Sequence, residues 1–469
     1  MRRIVLAELR DSWPAWLGVS VGFVTTGFGL ALSALVLWSG FVASGTTLPE
    51  QEAFTYAFQG GLNLVLCLVV GLSVVSAGTG LVIDSRRGAV ARLALTGATP
   101  AQVVGTVLNQ LTVVALASAV IGDVLAAFAL EPTLVYLMRE RGVDSIGVPA
   151  PPVIDLGVLF LVDAAWVLVV LLGGLRQARR GSRIPPVEAL RQAQGLAGRR
   201  PRAVGRWIRA VVAMLLTAAM FAAVPVLAAD RNKETFSQIM QLNLLTLVLA
   251  GWLLSQLVPL LVRPLTAAWT RLVPTRDPSW LMARATVLAK ADRLAGSVTP
   301  VMFTTGLTFG LLGLPATYNA CFAASGFGVT LEHVSPATFT VFLGPALAIA
   351  MAGSVGSLFM MSKQRDAELA LLGIAGATPA QRTAAATLEA VIVTVTAAIL
   401  GLVMVAVAFA HLAYGTPAAG LVFALSVPVL PFLVAMLVTG AITAAATVLP
   451  TQRSLGLPEP KVVARLVAE

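Results

Sequence analysis

Long apolar runs alternate with short polar stretches along the whole chain, and each run is long enough to cross a membrane as a helix. A hydrocarbon core needs about 20 apolar residues at a rise of about 1.5 Å each. Ten runs qualify, at roughly residues 13–42, 58–83, 104–130, 153–175, 207–229, 238–262, 297–317, 336–362, 383–412 and 420–448. The first follows Met1, Arg2 and Arg3 as a signal peptide would, but its apolar stretch exceeds the usual core of about 7–15 residues, so it reads as a retained helix. The pattern predicts an all-α polytopic membrane protein of about ten transmembrane helices.

Composition agrees: 58% of the 469 residues are hydrophobic and 12% are charged, about half the charged share of an ordinary soluble domain. The placement of charge adds more, because Lys and Arg accumulate on the cytoplasmic side. With the N-terminus inside, all but four of the 32 Lys and Arg fall in inner segments, the four being Arg139, Arg141, Arg231 and Lys233. Both termini are then cytoplasmic, as expected of a multi-pass protein of a bacterial cell membrane. The net charge of +10 lies in strips beside the spans, where anionic lipid headgroups are the counterions, so no nucleic-acid partner is expected. Cys67 falls in the second span and Cys321 in an outer loop, depths too different for a disulfide.

The outer connections, roughly 43–57, 131–152, 230–237, 318–335 and 413–419, are too short to fold as domains. The inner connections 176–206 and 263–296 are longer and more polar, which places contacts with soluble partners on that side.

Two of the inner connections share a hexapeptide. "LTGATPAQVVG" begins at Leu95 and "IAGATPAQRTA" at Ile374, 279 positions later. At the same offset Arg86 falls on Arg365, Leu93 on Leu372 and Gln110 on Glu389. Upstream, "VLAELRD" from Val5 matches "VLAKADR" from Val287, and downstream "IPPVEALR" from Ile184 matches "LPEPKVVAR" from Leu457 more loosely. The chain therefore divides into a four-helix unit over 1–206, a two-helix spacer over 207–265 and a second four-helix unit over 266–469. An even number of spans separates the units, so they are parallel repeats and the molecule resembles a fused pseudo-dimer.

Each hexapeptide reads as a helix stop followed by a helix start. Gly97 suits the left-handed residue that ends a helix. Thr99 suits the N-cap, Pro100 the first helical position and Gln102 the third, and Thr-x-x-Gln is a capping box. Gly376, Thr378, Pro379 and Gln381 repeat every part of it. Gly, Thr and Pro also serve any short helix connection, but the duplication with matching flanks favours a shared role. The motif is not a phosphate loop, since no G-x-x-x-x-G-K-[ST] occurs.

At these residues the chain resembles the FtsX-like permeases of ABC transporters, in the two-unit arrangement of the macrolide and bacitracin export branch. "KQRDAELALLGIAGATPAQRTAAATLEAV", from Lys363, carries the family pattern through Arg365, Glu368, Gly376, Ala377, Thr378 and Glu389. The first copy is degenerate, with Ala89 at the acidic position and Gln110 in place of the glutamate. The resemblance implies that the elbows before spans three and nine dock separate cytoplasmic ATPase subunits, two per chain, whose ATP-driven dimerisation rocks the membrane helices. It implies no cofactor in this chain, with ATP and Mg held by the partner. Arg86, Arg87 and Arg92 in one copy, and Arg365 and Arg382 in the other, are then available to acidic groups on the ATPase; their alternative role is anchoring at the headgroups. The large extracellular domain of many relatives has no room here, which directs the substrate reading toward a hydrophobic or amphipathic compound entering from the bilayer.

Asp123 in span three and Asp163 in span four are costly inside a membrane unless paired, hydrated or protonated, and are candidates for a substrate path. Asn63, Gln241 and Asn243 read as interhelical glue. His333 and His411 lack ligand spacing, and no catalytic Ser-His-Asp or Cys-His set is recognisable, so neither a metal site nor an enzyme is expected. Two other functions compete with an ATP-driven permease. One is an ATPase-driven signalling or scaffold protein that moves no substrate. The other is an ion-coupled secondary transporter using Asp123 and Asp163.

Overall fold

The computed structural model describes residues 13–85, 99–140, 149–181, 204–229, 235–275, 277–326, 336–360 and 371–455. Among them run α1 (Trp13–Ala43), α2 (Glu50–Ser85), α3 (Pro100–Glu140), α4 (Leu156–Gly181), α5 (Val204–Ala229) and α6 (Thr235–Thr270). There follow α7 (Pro278–Ala289), α8 (Ala291–Ala324), α9 (Pro336–Met360), α10 (Pro379–Ala418) and α11 (Val429–Leu455). Ten of these are long and apolar enough to cross a membrane; α7 is the short exception. The protein is an all-α polytopic membrane protein. Large apolar side chains such as Phe128, Phe160 and Leu161 are exposed, as a lipid-facing surface requires.

Packing separates two compact units. Unit one comprises residues up to Val204 and the segment Val334–Gly353, and unit two the remainder. In unit one α1 is the most enclosed span, packed on α2, α3 and α4. Its core includes Phe23 edge-on to Trp166, with ring centres 5.9 Å apart. At the crossing of α1 with α3 the backbones come close, and a Cβ on Gly122 would lie 2.6 Å from the nitrogen of Phe28 and 2.9 Å from the carbonyl carbon of Gly27. Only a residue without a side chain permits that approach.

The first part of α9 belongs to unit one because of a proline. Pro345 has no N–H to give the Val341 carbonyl four residues before it, and hydrocarbon supplies no water in its place. Asn63 on α2 donates to that carbonyl from Nδ2 at 2.9 Å, and Gln59 Nε2 reaches it at 3.4 Å.

In unit two α8 is the enclosed span, packed on α6, α10 and α11. Spans five and six both lie in this unit, with α6 against α8 and α10. The crossing of α8 with α10 repeats the glycine device: a Cβ on Gly401 would lie 2.6 Å from the Thr305 hydroxyl and 2.8 Å from the Gly306 nitrogen. Gly306 and Gly401 stand 279 positions after Gly27 and Gly122.

The structure corrects two boundaries. Cys321 is not in an outer loop, because α8 runs on to Ala324 and buries it. Span ten does not begin at 420: Gly420 takes a φ of +75°, the chain then runs extended, and α11 starts only at Val429, after Pro428. The extended segment is fastened to α8 by side chains one turn apart. Ser325 Oγ accepts from the Val422 N–H at 2.8 Å, Cys321 Sγ from Ala424 at 3.4 Å and Thr317 Oγ1 from Ser426 at 3.4 Å. Thr317 also donates to the Ser426 carbonyl at 2.9 Å. Two extended residues advance about 6.6 Å and four helical residues about 6 Å, so the rungs stay in step. In unit one the segment before α4 has one such rung, from the Val153 N–H to Ser39 Oγ on α1 at 3.1 Å.

Candidate functional site

The second hexapeptide forms a complete reversal. A helical turn at 371–374 ends where Gly376 takes a φ of +96°. The Ala377 N–H then bonds the Leu372 carbonyl and the Gly376 N–H the Gly373 carbonyl, both at 2.9 Å, which is a Schellman closure. A single residue later the next helix begins. Thr378 Oγ1 accepts from the Gln381 N–H at 3.3 Å, and Gln381 Oε1 accepts from the Thr378 N–H at 3.0 Å, with Pro379 at the first helical position. This is the reciprocal capping box, and it leaves no slack between the two helices.

The first hexapeptide starts its helix the same way. Gln102 Oε1 accepts from the Thr99 N–H at 2.9 Å, and Thr99 Oγ1 accepts from the Gln102 N–H at 3.3 Å. Pro100 opens α3 as Pro379 opens α10. Arg86, Arg87, Arg92, Gly97, Arg365 and Glu368 lie outside the described residues.

Both capped helices are unusually long. At 41 and 40 residues, α3 and α10 extend about 60 Å, roughly twice a hydrocarbon core. At the second elbow Leu371 and Ile374 are 59% and 61% exposed and three residues apart, an apolar pair on one side of a helical turn. Thr378, Pro379 and Gln381 are exposed beside them, whereas Arg382 is buried and Glu389 half-buried in the first turns of α10.

The two intramembrane acids come together. Asp123 on α3 and Asp163 on α4 are each half-buried, and their carboxyl groups are within hydrogen-bonding reach of each other. Val120, Val124 and Phe128 on α3, with Phe160 on α4, are exposed around this depth, so the pair sits near the lipid-facing side of unit one.

A third polar cluster gathers around Asn243, one of the amides expected to join helices, but its pairing with His411 is invisible in the sequence. His411 on α10 is fully buried; its Nε2 is 3.3 Å from the Met220 carbonyl on α5, and its Nδ1 is 3.3 Å from Asn243 Nδ2 on α6. Asn243 also donates to the Ala408 carbonyl at 2.7 Å and accepts from the Tyr318 hydroxyl of α8 at 3.2 Å. With Asn243 donating, His411 Nδ1 must accept and Nε2 must carry the proton toward Met220. Phe221 covers the ring edge-on, centres 5.0 Å apart. A lone His and a lone Asn 168 residues apart give no signal to a reader of the sequence. Of the other two amides expected to act as glue, Asn63 bridges helices, while the bond from Gln241 reaches Ser237 on its own helix.

No protein-family model matches the chain, and no curated protein matches it. The fold is that of a polytopic helical membrane protein, an architecture consistent with a transporter or permease.

Proposed function

We propose that this chain is the membrane subunit of an ABC-type transporter of the FtsX-like kind, driven by separate ATPase subunits and moving a hydrophobic or amphipathic compound outward or out of the bilayer. The observation that carries the reading is the pair of capping boxes at the starts of the two helices that are longest among the described residues. A push on an elbow with a Schellman closure and a capping box one residue apart is passed to a single 40-residue helix long enough to cross the membrane. The exposed Leu371 and Ile374 supply an apolar anchor for a cleft on the ATPase. The glycine crossings, related by the same offset of 279 as the elbows, support two parallel repeats and hence two ATPase subunits per chain. The elbows then lie in the cytoplasm of a bacterial cell, with both termini on that side.

Purification in mild detergent tests this: two ATPase subunits per chain are expected, and a chain that purifies with none counts against it. Gly376→Val, which forces a β-branched residue to a φ of +96°, is expected to abolish stimulation of the ATPase while membrane insertion persists. Undiminished transport in that variant would remove the elbow from the mechanism.

The Asp123–Asp163 pair favours a second reading, an ion-coupled transporter. It requires transport driven by a proton or sodium gradient in vesicles containing this chain alone, and loss of that transport in Asp123→Asn.

A further inference from the structure

Helix α2 carries the same pair of residue types twice, one turn apart. Gln59 and Asn63 are amides four positions apart, and Val70 and Val74 follow them by eleven positions each. The first part of α9 runs parallel to this stripe, with Val341 at the amides and Gly353 at the valines. In the present register the Val341 carbonyl takes its short bond, 2.9 Å, from Asn63 and only a long one, 3.4 Å, from Gln59. Gly353 is so close to Val74 that a Cβ there would collide with it. Gln59 is fully buried, donates to Asn63 Oδ1 at 3.2 Å, and has an Oε1 that accepts no hydrogen bond. Its Nε2 is a second donor within reach of the Val341 carbonyl, one helical turn along α2 from Asn63.

We propose that α9 slides along α2 by one helical turn, passing the Val341 carbonyl from Asn63 to Gln59 and Gly353 from Val74 to Val70. The step is about 5.4 Å. Because Pro345 denies that carbonyl its helical donor in every register, only positions that offer an outside donor are habitable in hydrocarbon. Helix α2 offers two. These two contacts are exchanged for others of their own kind, amide for amide and valine for valine, and Val70 is already fully buried on the same stripe. On α1, Ile349 Cδ1 now stands 3.0 Å from where a Cβ on Gly29 would lie; the slide replaces that isoleucine by Gly353. One turn beyond Gly353, α9 carries a second small residue, Ser357. The slide gives up the bond from the Tyr136 hydroxyl to the Ala337 carbonyl, 2.9 Å, at an exposed position where water can replace it. One-turn ratchets between packed elements are an established kind of two-state switch.

The slide depends on neither the transported compound nor the ATPase, so its test stands apart from the permease reading. In the full chain reconstituted in lipid vesicles, with Cys67→Ala and Cys321→Ser, two cysteine pairs report the two registers. Val74→Cys with Gly353→Cys, plus Val70→Ala, reports the present one. Val70→Cys with Gly353→Cys, plus Val74→Ala, reports the other. Positions 70 and 74 are about 6 Å apart along the helix, so one register cannot bring both within the roughly 4 Å Cβ separation of a disulfide. Under copper phenanthroline both pairs are expected to bridge, read by mass spectrometry of the linked peptides. Adding Gln59→Leu is expected to reduce the Val70→Cys bridge at least fivefold and to leave the Val74→Cys bridge intact, which also shows that the variant folds. The proposal is overturned if the Val70→Cys pair fails to bridge, or if Gln59→Leu leaves it unchanged. Failure of both pairs overturns it too, since the parallel packing would then be absent.

Discussion

At the crossing of α1 and α3 in unit one, Gly122 is followed by Asp123; at the crossing of α8 and α10 in unit two, Gly401 is followed by Leu402. The glycines meet the same steric demand in both units, with a neighbouring backbone too near for any side chain. The next residue points about 100° away around the helix and escapes that demand. In unit one it carries a carboxyl that meets Asp163, and in unit two an exposed leucine. Unit two instead places its polar groups deep inside, where Asn243, His411 and Tyr318 satisfy one another and two carbonyls. The difference separates two uses of intramembrane polarity: a closed, fully buried network that ties helices together, and a half-buried acid pair.

The largest effect is expected where the units agree. Gly122→Val and Gly401→Val should each cost about 3 kcal/mol or more through backbone overpacking. Thermal unfolding in detergent should show matched losses, and a tolerant Gly122 beside an intolerant Gly401 would break the equivalence of the crossings. Next comes the closed network. Asn243→Leu strips Tyr318, His411 and Ala408 of a common partner and should cost about 2 kcal/mol. By contrast Asn63→Leu leaves Gln59 to serve Val341, and about 1 kcal/mol is expected.

Smaller still is the loss of an elbow cap. Thr99→Ala and Thr378→Ala should each cost about 1 kcal/mol, read as faster amide exchange in the first turns of α3 and α10; unequal effects would show that the two elbows are held differently. The smallest stability change is expected from Asp123→Asn, within about 0.5 kcal/mol, because the amide is close in size and can donate to the Asp163 carboxyl. A large loss of stability in that variant would make the pair a structural tie and erase the contrast with unit two.

Much of the elbow was legible beforehand, because a helix stop and a capping box are local. Gly376, Thr378, Pro379 and Gln381 act within one turn of each other, and the bonds they make are those their spacing predicts. The ends of the spans were less legible. Hydropathy counts apolar residues whether they are helical or extended, so the Val-rich, Leu-rich strap before α11 passed as helix, and Cys321 was placed in a loop that α8 in fact overruns. The rungs that hold the strap come from Thr317, Cys321 and Ser325, about a hundred residues away, and no local signal predicts them.

Ten apolar helices, the doubled elbow and the small-residue content of the spans follow from the chain by itself, since membrane thickness and local hydrogen bonding act on consecutive residues. Tertiary structure alone decided which helices keep company: that α6 joins α8 and α10, that the start of α9 lies against α2, that Asp123 meets Asp163, and that His411 finds Asn243. In hydrocarbon every exposed apolar face is equally content. The partners are therefore chosen by the few positions where a backbone can approach a glycine or a stranded polar group needs a donor, and those match only in three dimensions.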